Sequence, residues 1–135
     1  MMKLYPLNDE DRELIERARE VIRKNYVKSK KYNMTVASAL LSKKRKIFLG
    51  VNFENKVTAD ASICSEMAAI ARLIGMGEEK IDTIVAVSEN PEEEGYKIKT
   101  PCGVCEKVIQ NFGNPFVIVS DTDKVRAKDL YQCAE

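Results

Sequence analysis

The chain of 135 residues has no histidine and no tryptophan, and glutamine occurs only at Gln110 and Gln132. With no histidine, any zinc site must be built from cysteine and carboxylate. An excess of one charge sign is also missing. Lysine plus arginine number 22 and acidic residues 21, a net charge of +1. That balance argues against a nucleic-acid footprint and predicts no nucleic-acid partner. No apolar run approaches the roughly 18 residues that a membrane span needs. The first residues are charged and helical in pattern, with no signal-peptide core, which predicts a cytoplasmic protein with no membrane partner. Repeats, linkers and low-complexity segments are lacking too, so residues 1–135 are expected to form a single domain.

Cysteine is sparse, with four in the chain, but three are clustered in two short motifs. In a reducing compartment such closely spaced cysteines are metal ligands or redox groups rather than disulfides. The first motif is Cys64-Ser65-Glu66 and the second Pro101-Cys102-Gly103-Val104-Cys105. Each reads as the opening of a helix. Cys102 and Cys105 are three apart and share a helix face. Cys64 must join them from another helix. Three thiolates can hold a zinc ion and leave its fourth position open, and Glu66 is placed to shuttle a proton there. Helix N-termini favour thiolate over thiol and offset part of the negative charge. A structural zinc would want a fourth protein ligand. The spare Cys133 has no ligand spacing and reads as an ordinary thiol.

The rest of the chain supplies a frame. Asn8 or Asp9 caps a helix to about Lys28, with Leu14, Ala18, Val21 and Ile22 as its apolar stripe. Lys28, Lys30 and Lys31 read as its solvated end. Thr35–Ser42 and Ile47–Phe53 read as a hairpin, with small residues Ala37, Ser38 and Ala39 that let another group come close. Ser62 is the expected cap of a helix to Ile74, buried through Ile63, Met67, Ile70 and Ile74. Ile81–Ser88 reads as a central strand, Glu89–Lys99 as an acidic loop, and Thr100 with Pro101 as the start of a helix ended by Gly113. Pro115–Ser120 is a further strand, and Val125–Tyr131 is too short to assign. This order predicts an α/β fold, a three-layer α/β/α domain with a mixed sheet of about five strands. Both motifs then lie at one edge of the sheet.

Together these motifs resemble the small zinc-dependent cytidine-deaminase family from about Val36 to Ile118. The resemblance rests on Gly50-Val51-Asn52-Phe53-Glu54-Asn55, Cys64-Ser65-Glu66 and Pro101-Cys102-Gly103-Val104-Cys105. It implies Zn2+ on Cys64, Cys102 and Cys105, Glu66 as the proton-transferring catalytic residue, and water replacing the amine at C4 of a cytosine nucleoside with release of ammonia. It implies Asn52 and Glu54 at the ribose, Met34 in place of the base-stacking phenylalanine, and Ser65 among the substrate contacts. It also implies a role in pyrimidine salvage, a small-molecule nucleoside substrate and a homotetramer. Met67 and Glu106 stand where many tetrameric members have arginine. Thr35-Val36-Ala37-Ser38-Ala39 and the apolar residue after Glu66 are similar to blasticidin-S deaminases, whereas Glu54 and Asn55 are more like the cytidine branch. The sugar side of the substrate is therefore left open between the branches. Two other functions fit the motifs less fully. A zinc-binding scaffold without turnover would not need Glu66, and a dithiol redox protein would use Cys102 and Cys105 without zinc.

Overall fold

The first helix begins where two side chains tie its end. Asn8 Oδ1 accepts from the Asp11 amide at 2.9 Å, and Asp11 Oδ2 accepts from the Asn8 amide at 3.0 Å, a reciprocal box that satisfies two free N–H groups. In the computed structural model, which describes residues 3–132, this helix is α1, Asp9–Asn25. It stops three residues short of the expected Lys28. Val27 and Lys28 are extended instead and pair with Met34 and Asn33. The basic run therefore belongs to a small hairpin, because β-branched Val27 gains more from strand pairing than from a frayed helix end.

The strands in chain order are β1 (Tyr5–Pro6), β2 (Val27–Lys28), β3 (Tyr32–Met34), β4 (Val36–Ser42), β5 (Ile47–Val51), β6 (Glu54–Asn55), β7 (Ile81–Ser88), β8 (Lys97–Lys99), β9 (Phe116–Ile118) and β10 (Asp123–Arg126). The main sheet runs β1-β10-β9-β7-β4-β5, with β8 also paired to β7. It is mixed: β7 and β9 are parallel, and the remaining pairs are antiparallel. It has seven strands, not about five. The additions are the short strands β1, β8 and β10, whose length hides any alternation in the sequence. β8 lies inside the expected acidic loop. A second sheet, β2-β3-β6, has three strands.

Two cores cover the two faces of the main sheet. Leu14, Ile15, Ala18 and Ile22 of α1 pack on Ala37, Ala39, Leu41, Val85 and Val87. On the other face lie α2 (Ser65–Gly75) and α3 (Gly103–Gln110). Their Ala69, Ile70, Leu73, Cys105 and Ile109 meet Leu40, Phe48, Ile84 and Val117. The three-layer α/β/α architecture is thus as expected, and α2 and α3 share one layer. Ile63 and Ile74, expected in the core, are exposed. They sit at or beyond the ends of α2, where the helical repeat no longer faces the sheet.

The starts of α2 and α3 differ from expectation in one common way. Ser62 closes a short 3-10 turn, Ala59–Ala61, and its hydroxyl accepts from the Asn55 amide. Ile63 is held extended by two backbone bonds of 2.9 Å with Phe53. The helix can begin only after it, so Cys64 is the cap, its sulfur accepting from the Met67 amide at 3.4 Å. Thr100 and Pro101 likewise lie outside α3, and Cys102 is its cap. Each motif therefore places its first cysteine at a helix cap. Residues Ala127–Gln132 form a terminal 3-10 segment. Cys133 lies outside the described residues.

Candidate active site

Because Cys64 caps α2, Glu66 falls in the first turn of that helix, and because Cys102 caps α3, Cys105 falls in the first turn of the other. The two helix starts converge. Cys64 Sγ lies 2.7 Å from Cys105 Sγ, although 41 residues separate them. One carboxylate oxygen of Glu66 joins both sulfurs, with the three ligand atoms within 4.8 Å of one another. Among the described residues this is the cluster of cysteine and acidic groups able to hold a metal ion. Cys102, the third expected ligand, is not among the grouped atoms: it is exposed at the rim, near enough to Cys105 to act on its thiol.

Burial sets the electrostatics. Cys105 is buried, and desolvation pushes its thiol well above the ordinary range, with further upward contributions from its hydrogen bond to Cys64 and from Cys102 nearby. Several thiolates cannot gather here without a cation between them. A divalent ion removes that obstacle, and with Cys102 added, as the sequence expects, three thiolates around +2 would leave a net −1, which the ends of two helices oppose with roughly half a charge each. The donor set fits zinc: soft sulfur ligands with a carboxylate beside them, from two rigid elements. Neither neighbouring side chain adds positive charge. Met67 packs on the core, and Glu106 is buried.

The structure places the remaining sequence candidates in three settings. Asn52 Oδ1 accepts from the Thr35 and Val36 amides at 2.8 and 3.0 Å, so its oxygen is occupied in holding the corner between β3 and β4. Only its amide N–H groups remain to offer a ligand. Glu54 is exposed, opposite Asn33 in the small sheet, and accepts from the Asn33 amide group at 3.4 Å. Met34 is half-buried at the end of β3, paired with Val27. Ser65, expected to face substrate, points its hydroxyl into the protein, onto Ser38 at 2.7 Å and Glu66 Oε1 at 3.1 Å.

Sequence reasoning marked Ser38 as a place of close approach but did not find its partner. It also missed the stacked pair Tyr32 and Phe53, with centroids 5.2 Å apart. Phe53 is bonded through its backbone to Ile63, the residue before Cys64, which ties the segment carrying Phe53 to the start of α2. Phe53 sits between Asn52 and Glu54, which is the signal that pointed there.

Fold and site define a class: a three-layer α/β domain carrying a sulfur-rich metal cluster and a carboxylate at two helix starts. Residues 8–121 match the family model described as the cytidine and deoxycytidylate deaminase zinc-binding region, and the chain belongs to that family. It is a hydrolase family, and its cofactor is zinc. The chain is 29% identical to the blasticidin-S deaminase of Bacillus cereus over 92% of its length and 89% of that protein. It is 32% identical to a probable cytidine deaminase of Dictyostelium discoideum, over 66% of this chain and 57% of that one. The crystal structure of the cytidine deaminase from Bacillus anthracis superposes with a TM-score of 0.76 at 19% identity, covering 92% of this chain and 88% of that one, a likeness of fold.

Proposed function

We propose that the chain is a cytidine-type deaminase that replaces the C4 amine of a cytosine nucleoside with oxygen from water and releases ammonia. The observation that carries this is the approach of Glu66 to Cys64 and Cys105 within 4.8 Å. Cys64, Cys102 and Cys105 hold the zinc. Zinc, when bound, supplies the Lewis acidity that makes water a nucleophile at neutral pH. Glu66, 6% exposed, takes the proton that water loses and passes it to the departing amine. The exclusion of bulk water around that carboxylate keeps the proton in the site. Asn52 and Glu54, at the end of the hairpin, take the sugar side, and Met34 lies against the ring. A scaffold without turnover would leave Glu66 unused, and a dithiol redox pair would leave both Glu66 and Cys64 unused.

A second reading is favoured by one comparison. One relative, matched over 89% of its length, is a blasticidin-S deaminase, so a cytosine whose sugar is not ribose is the competing substrate. Ammonia release from cytidine, deoxycytidine, methylated cytidines and blasticidin S, measured with zinc content, tests both. We expect turnover of cytidine-type nucleosides with about one zinc per chain, the number that one three-cysteine site holds. Zinc-loaded protein that releases ammonia from none of them rejects the function.

The reading extends to a single domain and a cytoplasmic homotetramer in pyrimidine salvage. No helix among the described residues is long and apolar enough to cross a membrane. The near-balanced charge supports a small-molecule substrate over a nucleic acid. Light scattering that reports a monomer at micromolar concentration would overturn the tetramer.

A further inference from the structure

We infer that Ser38 and Ser65 form a two-hydroxyl relay that orients Glu66, which makes both serines positioning residues for the proton transfer. This rests on the deaminase reading above and extends it to groups that touch neither metal nor substrate. Ser38 lies mid-strand in β4, between Gly50 on β5 and Ala86 on β7. Ser65 is the first residue of α2. They meet because Gly50 has no side chain: a Cβ there would come within 2.6 Å of the Ser65 carbonyl oxygen. The first turn of α2 thus rests on the sheet, and the two hydroxyls face each other at 2.7 Å. Ser38 and Ser65 are 0% and 1% exposed, so each relies on the other rather than on bulk water.

The direction of the relay follows from what each group can donate. A carboxylate only accepts, so the Ser65 hydroxyl gives its single hydrogen to Glu66 Oε1 at 3.1 Å. The Ser65 oxygen is then the acceptor for the Ser38 hydrogen. Glu66 has three side-chain torsions, and an unrestrained glutamate of that kind samples several staggered positions. The bond from Ser65 selects one of them. It occupies Oε1 and leaves Oε2 to carry the proton. The same carboxylate is the one grouped with the Cys64 and Cys105 sulfurs. Ser38, in turn, fixes the rotamer of Ser65. A structural role alone would have the two serines merely satisfy each other inside the core, and the two roles separate in one set of variants.

The set is Ser65→Ala, Ser38→Ala and the double variant, each read for thermal midpoint, zinc content, kcat and KM on the best cytosine nucleoside. Ser65→Ala strips both Ser38 and Glu66 of a partner and lowers the midpoint most, Ser38→Ala leaves Ser65 its bond to Glu66 and lowers it less, and the double variant, with no Ser38 hydroxyl left unpaired, recovers part of the loss. Positioning predicts that kcat does not follow. Ser65→Ala and the double should both lose about 10- to 100-fold in kcat, the usual cost of removing a group that orients a site residue. Ser38→Ala should lose less, because Ser65 can still donate. KM and zinc content should stay near wild type throughout. Recovery of kcat together with stability in the double variant, or an undiminished kcat in Ser65→Ala, overturns the relay while leaving the deaminase reading intact. A zinc-loaded wild type without deaminase activity overturns that reading, and the relay with it.

Discussion

Gly50 and Ser65 are pressed together: a Cβ on Gly50 would lie 2.6 Å from the Ser65 carbonyl oxygen and 2.9 Å from the Ala68 carbonyl carbon. The obstructing atoms are helix backbone, which cannot swing aside as a flexible side chain would. Gly50→Ala must therefore lift the start of α2, and overpacking of this kind costs about 1–3 kcal/mol. That helix start carries Cys64 and Glu66, so zinc content should fall along with the thermal midpoint. A variant with unchanged midpoint and full zinc would show that the contact is not as tight as described.

The ligand set makes a second prediction. Cys64→Ala, Cys102→Ala and Cys105→Ala should each lose zinc, and each should unfold at lower temperature because the ion ties α2 to α3. Cys102 is the sharpest test, since it stands at the rim of the cluster rather than inside it. Zinc retained in full by Cys102→Ala would reduce the set to Cys64, Cys105 and a carboxylate. The pH dependence has a definite sign. Burial raises the Cys105 thiol, so the metal-free site holds its proton and zinc must displace it. Affinity measured by competition with a chelator should fall as pH falls, and affinity independent of pH would contradict thiolate ligation.

Glu66→Gln keeps the shape of the side chain and removes the base. Zinc should remain, because the proposed ligands are the three cysteines and not Glu66. Turnover should fall by about 10²- to 10⁴-fold, the range for losing general acid–base catalysis. Near wild-type deamination by the zinc-loaded variant would refute the proton-transfer role.

How far the sequence foretold this site depends on the range of the interaction. Helix α1, the β4–β5 hairpin and β7 were legible because each is long enough to show its period. The two cysteine motifs were legible because spacing within a helix start is local. What the sequence hid was non-local or short. Strands β1, β8 and β10 have two to four residues and carry no period. The start of α2 was misplaced because the Phe53–Ile63 bridge, ten residues apart, decides where that helix begins. Ser38 and Ser65 are 27 residues apart, and only the sheet brings them together.

A buried ion pair fixes the first helix to the sheet. Lys124 Nζ lies 2.7 Å from Asp11 Oδ2, with both side chains nearly enclosed, and the ammonium also sits 4.5 Å from the centre of the Phe116 ring. Removing one partner leaves the other charge buried, at a cost of about 3–5 kcal/mol. Asp11→Ala additionally loses half of the capping box. Lys124→Met should be the milder change, since Asp11 keeps its bond with the Asn8 amide. Urea unfolding checks the order, and equal midpoints for the two variants would argue against it.

The last prediction concerns the sugar. Both substrate branches present a cytosine ring, so discrimination must come from the groups at the end of the hairpin. Asn52 has only its N–H groups free, and therefore meets an acceptor. Glu54 can only accept, and therefore meets a hydroxyl that donates. Its Oε2 is shared with Asn33, which leaves Oε1 for the ligand. A fully buried Glu54 would penalise a sugar without that hydroxyl heavily, but Glu54 is exposed, and water can replace the missing partner. The net value of such a bond is about 0.5–1.5 kcal/mol, or roughly 2- to 10-fold. Glu54→Ala should therefore lower kcat/KM on cytidine by roughly that factor, mainly through KM, and leave blasticidin S nearly unchanged. If the wild type ignores cytidine yet deaminates blasticidin S, and Glu54→Ala alters neither, the assignment of Glu54 to the sugar is wrong.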